Sequence, residues 1–157
     1  PRDPRLGYVG RVTAVDTKLV GGLLDQGVVP VIAPLAWGED GSIYNLNADT
    51  AAAAIARNLG AQKLIYLTDV EGLYEDHDDD TTLLSRLLVD EARELLQALD
   101  GGMRPKVESS VDALDGGVRQ VHILDGRIQH SVLLEIFTPE GIGTMIVTPE
   151  WTPVRVR

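Results

Sequence analysis

Apolar positions along this chain alternate between a helical spacing and short unbroken runs. Residues 13–25, TAVDTKLVGGLLD, place Val15, Leu19, Leu23 and Leu24 at roughly helical intervals, weakened by Gly21 and Gly22. Gly27 closes that helix. VVPVIAPL (28–35) follows as a continuous apolar run, the pattern of a strand buried on both faces, with Pro30 and Pro34 suited to its ends. After AWGEDGSIY, a hairpin-like turn around Asp40-Gly41, the alanine-rich stretch 48–59 predicts a helix with Gly60 as its C-cap. KLIYLTDV (63–70) predicts a second buried strand, EDHDDD (75–80) a solvated acidic loop, and VDEARELLQALD (89–100) an amphipathic helix with Leu95, Leu96 and Leu99 on its apolar side. GGMRPKVESSVDALDGGV (101–118) restarts a helix after a double glycine, with Pro105 in the first turn. QVHILDG (120–126) is a third strand, SVLLEIF fits helix or strand, and GTMIV (143–147) is a final short strand.

This alternation predicts an α/β fold, a mostly parallel sheet sandwiched by helices. In such sheets ligands bind where strand ends meet helix starts. No internal repeat is visible. PRDPRLGYVGRV is rich in Pro, Gly and Arg, so residues 1–10 read as a tail or linker, 11–150 as one lobe and 151–157 as a C-terminal tail. The first residue is Pro rather than Met, which reads as an internal starting point.

Composition narrows the class. The 157 residues fit one domain, long enough to bury about two thirds of the unfolded surface. Hydrophobic residues make up 44% but aromatics only 4%, so aliphatic packing in layers is favoured over an aromatic-rich barrel. The net charge of −10 repels nucleic acid and anionic membranes, and a phosphate-bearing ligand would need a local positive site. Cysteine is absent, which excludes disulfides and thiolate metal sites and fits a reducing cytoplasm. No apolar run approaches the roughly 20 residues needed to span a bilayer, and no signal peptide is visible.

Candidate chemistry gathers at a few junctions. Neither G-x-x-x-x-G-K-[ST] nor G-x-G-x-x-G is present, so standard phosphate loops are excluded. GGMRPK offers two glycines, a helix start and Lys106 in the first turn, a combination suited to an anion. Read alone it fits better as a loop joining two helices with one exposed lysine. TDVEGLY ends a buried strand at Thr68 and Asp69, either as a nucleotide platform or as an ordinary βα turn in which Gly72 supplies a positive φ. Asn47 is the natural N-cap of the alanine helix, and Asp49 suits its dipole. Asn45, before the cap, has amide donors able to grip a carboxylate. The acidic run lacks metal-loop spacing, and His77, His122 and His130 are too scattered for a metal site.

Taken together, LGYVGRV, PVIAPL, NLNAD, TDVEGLY, GGMRPK, HILDGR and LLEIFTPEGIGTMI occur in an order and spacing that resemble acetylglutamate kinases, members of the amino acid kinase family with a carbamate kinase-like fold. The resemblance runs from about Leu6 to Val147 and covers the C-terminal, ATP-binding half of such an enzyme. It implies a missing N-terminal lobe carrying a glycine-rich phosphate loop, a second lysine and a substrate-gripping arginine. Asn45 would bind the substrate through its α-carboxylate, Asp49 would hold the catalytic lysines, and Lys106 would stabilise the transferring phosphoryl group. Asp69, Val70, Glu71, Gly72, Leu73 and Tyr74 would line the nucleotide, with the segment from Ala98 through Gly101, Gly102 and Met103.

The resemblance further implies ATP with Mg²⁺ carried by the nucleotide, N-acetyl-L-glutamate as substrate in arginine biosynthesis, a cytoplasmic homo-oligomeric parent, and no metal cage. Glu135, Gly141 and Gly143 would match an arginine effector site. Two other readings remain open at this stage. One is the related kinase for carrier-protein-bound aminoadipate or glutamate; the other is a non-catalytic fragment that binds ATP or arginine.

Overall fold

The structure is a computed structural model and describes residues 7–76, 79–99, 101–138 and 141–152. Most of the expected 1–10 linker, His77 and Asp78 of the acidic run, Asp100, Pro139 and Glu140, and most of the expected C-terminal tail lie outside the described residues.

Helix α1 (Lys18–Asp25) is followed by a hairpin of β1 (Leu35–Trp37) and β2 (Ile43–Asn45), then α2 (Ala48–Leu59) and β3 (Lys63–Thr68). A 3₁₀ turn at Asp80–Thr82 leads to β4 (Arg86–Leu88), α3 (Val89–Leu95), α4 (Met103–Asp115), β5 (Gln120–Asp125), α5 (Ser131–Phe137) and β6 (Thr144–Val147). The main sheet has the order β3-β5-β6-β4; β3 runs parallel to β5 and β4 to β6, while β5 and β6 are antiparallel.

Side-chain alternation along β5 assigns the layers. Val121 and Ile123 enter the core shared with Ala53 and Ala56 of α2 and with Val107, Val111, Ala113 and Leu114 of α4. His122 points to the other face, where it meets Glu135 of α5. The sheet is therefore covered by α2 and α4 on one side and α5 on the other. The small side chains of the alanine run, with Ala51, Ala53, Ala54 and Ala56 buried, let α2 lie against α4. Each large aliphatic residue taken fully into this core, such as Ile123 or Ile146, contributes roughly 1.5–3 kcal/mol.

Several elements depart from the sequence reading. The expected strand 28–35 is absent except for Leu35: residues 28–34 form no ladder, and Val29 and Val31 are 84% and 97% exposed. An apolar run becomes a buried strand only when neighbours cover both faces and pair its edges. Pro30 and Pro34 also remove two donors, and no strand among the described residues pairs with this segment. The first helix begins at Lys18 rather than near 13, where Asp16 Oδ1 accepts from the Lys18 amide at 2.9 Å. Strand β4 has no sequence signature of its own, since its three residues run directly into α3. Beyond Leu95 the expected helix continues only as turns to Leu99. SVLLEIF is a helix.

Gly72 corrects a conformational expectation. It does not take a positive φ. A Cβ there would stand 2.4 Å from Thr144 Oγ1, the hydroxyl that accepts from the Leu73 amide at 2.8 Å. Glycine is required for close approach to β6. Gly72→Ala is therefore expected to destabilise by about 1–3 kcal/mol, read as a lower urea midpoint at unchanged m value; an unshifted midpoint would remove the close-approach argument.

On the opposite face Glu135 ties three pieces together. Its Oε1 accepts from His122 Nδ1 at 2.7 Å, and its Oε2 accepts from the amides of Ile142 at 2.7 Å and Gly143 at 3.0 Å. Burial alone would raise the Glu135 pKa, but these hydrogen bonds outweigh it and leave the carboxyl below its ordinary value. Stabilisation from this charge is complete above the unfolded-state value of about 4.3 and is lost as pH falls through the lower folded value. Glu135→Gln should lower stability at pH 7 by about 1–3 kcal/mol and flatten the fall in melting temperature below pH 5. An equally steep acid transition in the variant would show that this carboxylate does not supply the dependence.

Candidate active site

The site is built at the facing N-termini of α2 and α4. Asn47 caps α2: its Oδ1 accepts from the Thr50 amide at 3.0 Å and lies 3.2 Å from Thr50 Oγ1. That cap sets the first turn, from which Asp49 projects. Lys106 projects from the first turn of α4, one residue after Pro105, whose missing N–H costs nothing there. The two side chains meet with Lys106 Nζ donating to Asp49 Oδ2 at 3.1 Å, and only 19% and 17% of their surfaces remain exposed. A pair this shielded is sensitive to removal of either partner, because the survivor is a half-buried charge without compensation.

Asn45 ends β2 two residues before the cap. Its backbone is fixed, the amide donating to Tyr8 O at 2.8 Å and the carbonyl accepting from Gly10 at 3.0 Å, while its side chain is exposed. A cavity of about 490 Å³ opens along the α2–α4 seam, lined by residues that include Arg11, Asn47, Thr50, Pro105 and Asp112. It flanks the ion pair without including Lys106 or Asp49.

Residues 69–74 leave the carboxyl end of β3. Thr68 Oγ1 donates to Asp69 Oδ1 at 3.2 Å, Tyr74 OH donates to Glu71 Oε2 at 3.2 Å, and Leu73 is anchored on Thr144 as described. Asp69 and Glu71 are exposed, Val70 and Tyr74 half-buried, and Gly72 and Leu73 buried. Beside this loop Arg127 makes a forked contact with Asp125 at the end of β5, with nitrogens 2.8–3.2 Å from the carboxylate oxygens. These contacts hold the Asp125 carboxyl below its ordinary range.

The segment before Lys106 is held from its far side. Arg104 donates to the carbonyls of Leu96 at 2.8 Å and Leu99 at 3.2 Å and pairs with Glu108 at 2.9 Å. Gly101, at φ 65°, and Gly102 are exposed, and Met103 packs on the core. Glu135, Gly141 and Gly143 lie together across the sheet, where the carboxylate is engaged by His122 and two amides.

Two residues beneath the ion pair were passed over in the sequence. Tyr66 on β3 and Ser109 on α4 are buried and hydrogen-bonded to each other at 2.9 Å. The available signal was one polar-tipped aromatic within the apolar run LIYL, since a buried tyrosine hydroxyl demands a partner.

A model of the amino acid kinase family matches residues 1–125. Over 143 residues the chain is 52% identical to the acetylglutamate kinase of Caldanaerobacter subterraneus subsp. tengcongensis, covering 90% of this chain and 48% of that protein. The chain spans about half the length of the curated relatives it matches. Among solved structures, the N-acetylglutamate synthase of Neisseria gonorrhoeae, complexed with coenzyme A and L-arginine, superposes with a TM-score of 0.83 at 37% identity over 90% of this chain and 33% of that one. Carbamate kinase from Giardia lamblia bound to AMP-PNP shares the fold, with a TM-score of 0.68 at 19% identity over 89% of this chain and 47% of its own. The carbamate kinase-like topology and the family match lead to one assignment: this chain belongs to the amino acid kinase family.

Proposed function

We propose that the complete protein is an ATP-dependent kinase that phosphorylates the side-chain carboxylate of N-acetyl-L-glutamate in arginine biosynthesis, with residues 11–150 as its nucleotide-binding lobe. The observation that carries this reading is the shielded contact between Lys106 and Asp49 at two facing helix starts, in a chain half identical to a protein named acetylglutamate kinase. Phosphoryl transfer to a carboxylate brings anions together, so the protein's work is positioning and charge neutralisation. Lys106 would face the transferring phosphoryl group. Asp49 orients that ammonium from behind, and Asn45 would present its amide to the substrate's α-carboxylate. The loops 69–74 and 98–103 would hold the nucleotide, which brings its own Mg²⁺.

By itself this chain is proposed to bind the nucleotide without turning it over, because the family's phosphate loop and second lysine lie in the other lobe. Cytoplasmic location and a homo-oligomeric parent belong to the same proposal; among the described residues no helix is long and apolar enough to cross a membrane. The synthase neighbour's L-arginine complex favours an effector role for the Glu135, Gly141 and Gly143 turn.

In the complete protein, Lys106→Met should lower kcat for free acetylglutamate about 10²–10³-fold, the usual cost of losing one electrostatic stabiliser of the transition state, and Asp49→Asn should lower it less. Coupled release of ADP measures both. Undiminished kcat in Lys106→Met would overturn the assignment. Absence of turnover on the free acid by the wild type would instead favour a carrier-linked substrate.

A further inference from the structure

The Lys106–Asp49 contact joins two flexible side chains, yet the backbones that carry them are joined as well. Tyr66, on the central part of β3, is 5% exposed and sends its hydroxyl up between the two helix starts. There it lies 2.9 Å from Ser109 Oγ on α4 and 3.1 Å from the carbonyl oxygen of Asp49 on α2. Ser109, 4% exposed, has a single hydroxyl proton, directed back along α4 to the carbonyls of Pro105 at 2.7 Å and Lys106 at 3.1 Å. Its oxygen is therefore left to accept from Tyr66, whose proton is shared between Ser109 and the Asp49 carbonyl. Ser110 Oγ closes on the Lys106 carbonyl from the adjoining position at 2.7 Å.

We propose that Tyr66 and Ser109 are positioning residues for the phosphoryl-facing ammonium, clipping the Asp49 backbone to the first turn of α4 so that Lys106 is aimed before any ligand arrives. The proposal rests on the reading of Lys106 given above. Phenylalanine at position 66 would fill the same space and satisfy the core, so packing alone does not account for the hydroxyl. Burying it carries a desolvation cost that only its partners offset. Burial, reinforced by the negative charges of Asp49 and Asp112, raises the phenol's pKa far above its ordinary value. The group stays a neutral donor throughout the working range. Lysine has a four-carbon stem whose ammonium wanders unless its root is fixed. An error of about 1 Å at a reacting centre costs on the order of 10²-fold in rate, so the clip acts on aim rather than on affinity.

The chain has three lysines, Lys18, Lys63 and Lys106, which makes amine reactivity a direct readout. The full chain is treated with acetic anhydride at substoichiometric dose, and acetylation at each lysine is followed by mass spectrometry. Tyr66→Phe and Ser109→Ala should each raise the Lys106 rate about fivefold, the loosening expected from one lost hydrogen bond of typical strength, with Lys18 and Lys63 unchanged. Ile146→Val, a core change of comparable cost to stability, should leave all three rates unchanged. Unaltered Lys106 reactivity in Tyr66→Phe overturns the proposal whether or not the protein is a kinase. An equal rise in Ile146→Val also overturns it, since general loosening would then suffice.

In the complete protein, Tyr66→Phe should lower kcat about fivefold with KM for ATP unchanged and produce no further loss in a Lys106→Met background. A loss of kcat that persists without Lys106 would show that Tyr66 acts by another route. A wild type without kinase activity would sink the functional assignment, while the acetylation rates would still decide the clip.

Discussion

The arrangement depends on placing a lysine where the local backbone field opposes it. The start of a helix carries a partial positive charge, which favours Asp49 at the head of α2 and disfavours Lys106 at the head of α4. Asp49 resolves the conflict by standing 3.1 Å from the ammonium. The result is a charge-balanced pair held between two helix starts, in a chain whose net charge is −10. The backbone N–H groups at such helix starts favour anions even where the net charge of a molecule opposes them. The small residues of α2 belong to the same solution, because only a helix with alanines on its inner side can come close enough to α4 for a short aspartate to reach the lysine.

Helices with local signals could be read directly from the sequence. Asn47 and Gly60 bound α2 at the residues expected, since a cap and a left-handed terminator act through neighbours in the chain. The run 28–34 misled because burial of a strand is decided by distant segments. Its apolar residues do not by themselves bring a pairing strand, and among the described residues none pairs with it. Gly72 shows the same limit at smaller scale: its need for glycine comes from Thr144, a residue far along the chain, rather than from its own φ. The meeting of Asp49 with Lys106 came from the family resemblance. For Tyr66 and Ser109 no motif points to their pairing; the polar-tipped aromatic in LIYL signals only that Tyr66 needs a partner, and the fold supplies Ser109.

The two faces of β5 explain why one short strand serves two purposes. Its odd-numbered positions, Val121 and Ile123, support the helices that carry the ion pair, and Asp125 at its end orients Arg127 beside the 69–74 loop. Its even position His122 reaches through to Glu135 on the opposite side. A shift of β5 along its axis would disturb both sets at once, whereas a rotation of α5 would disturb only the Glu135 set.

Exposed apolar groups concentrate at the hairpin and the segment before it, where Val29, Val31, Leu35 and Trp37 face solvent. Leu67 of β3 and Leu133 and Phe137 of α5 are exposed as well, whereas the side of the sheet under α2 and α4 is buried. This asymmetry means that the α2–α4 seam can be tested in the chain as it stands, because the residues fixing it are buried in the sheet core. Asn45 is in a different position: it hangs on the hairpin, and its two backbone bonds go to Tyr8 and Gly10 rather than to the sheet. The placement of Lys106 is therefore set by the core, while the placement of Asn45 depends on how firmly the hairpin and the strand-like segment at Tyr8–Gly10 are held.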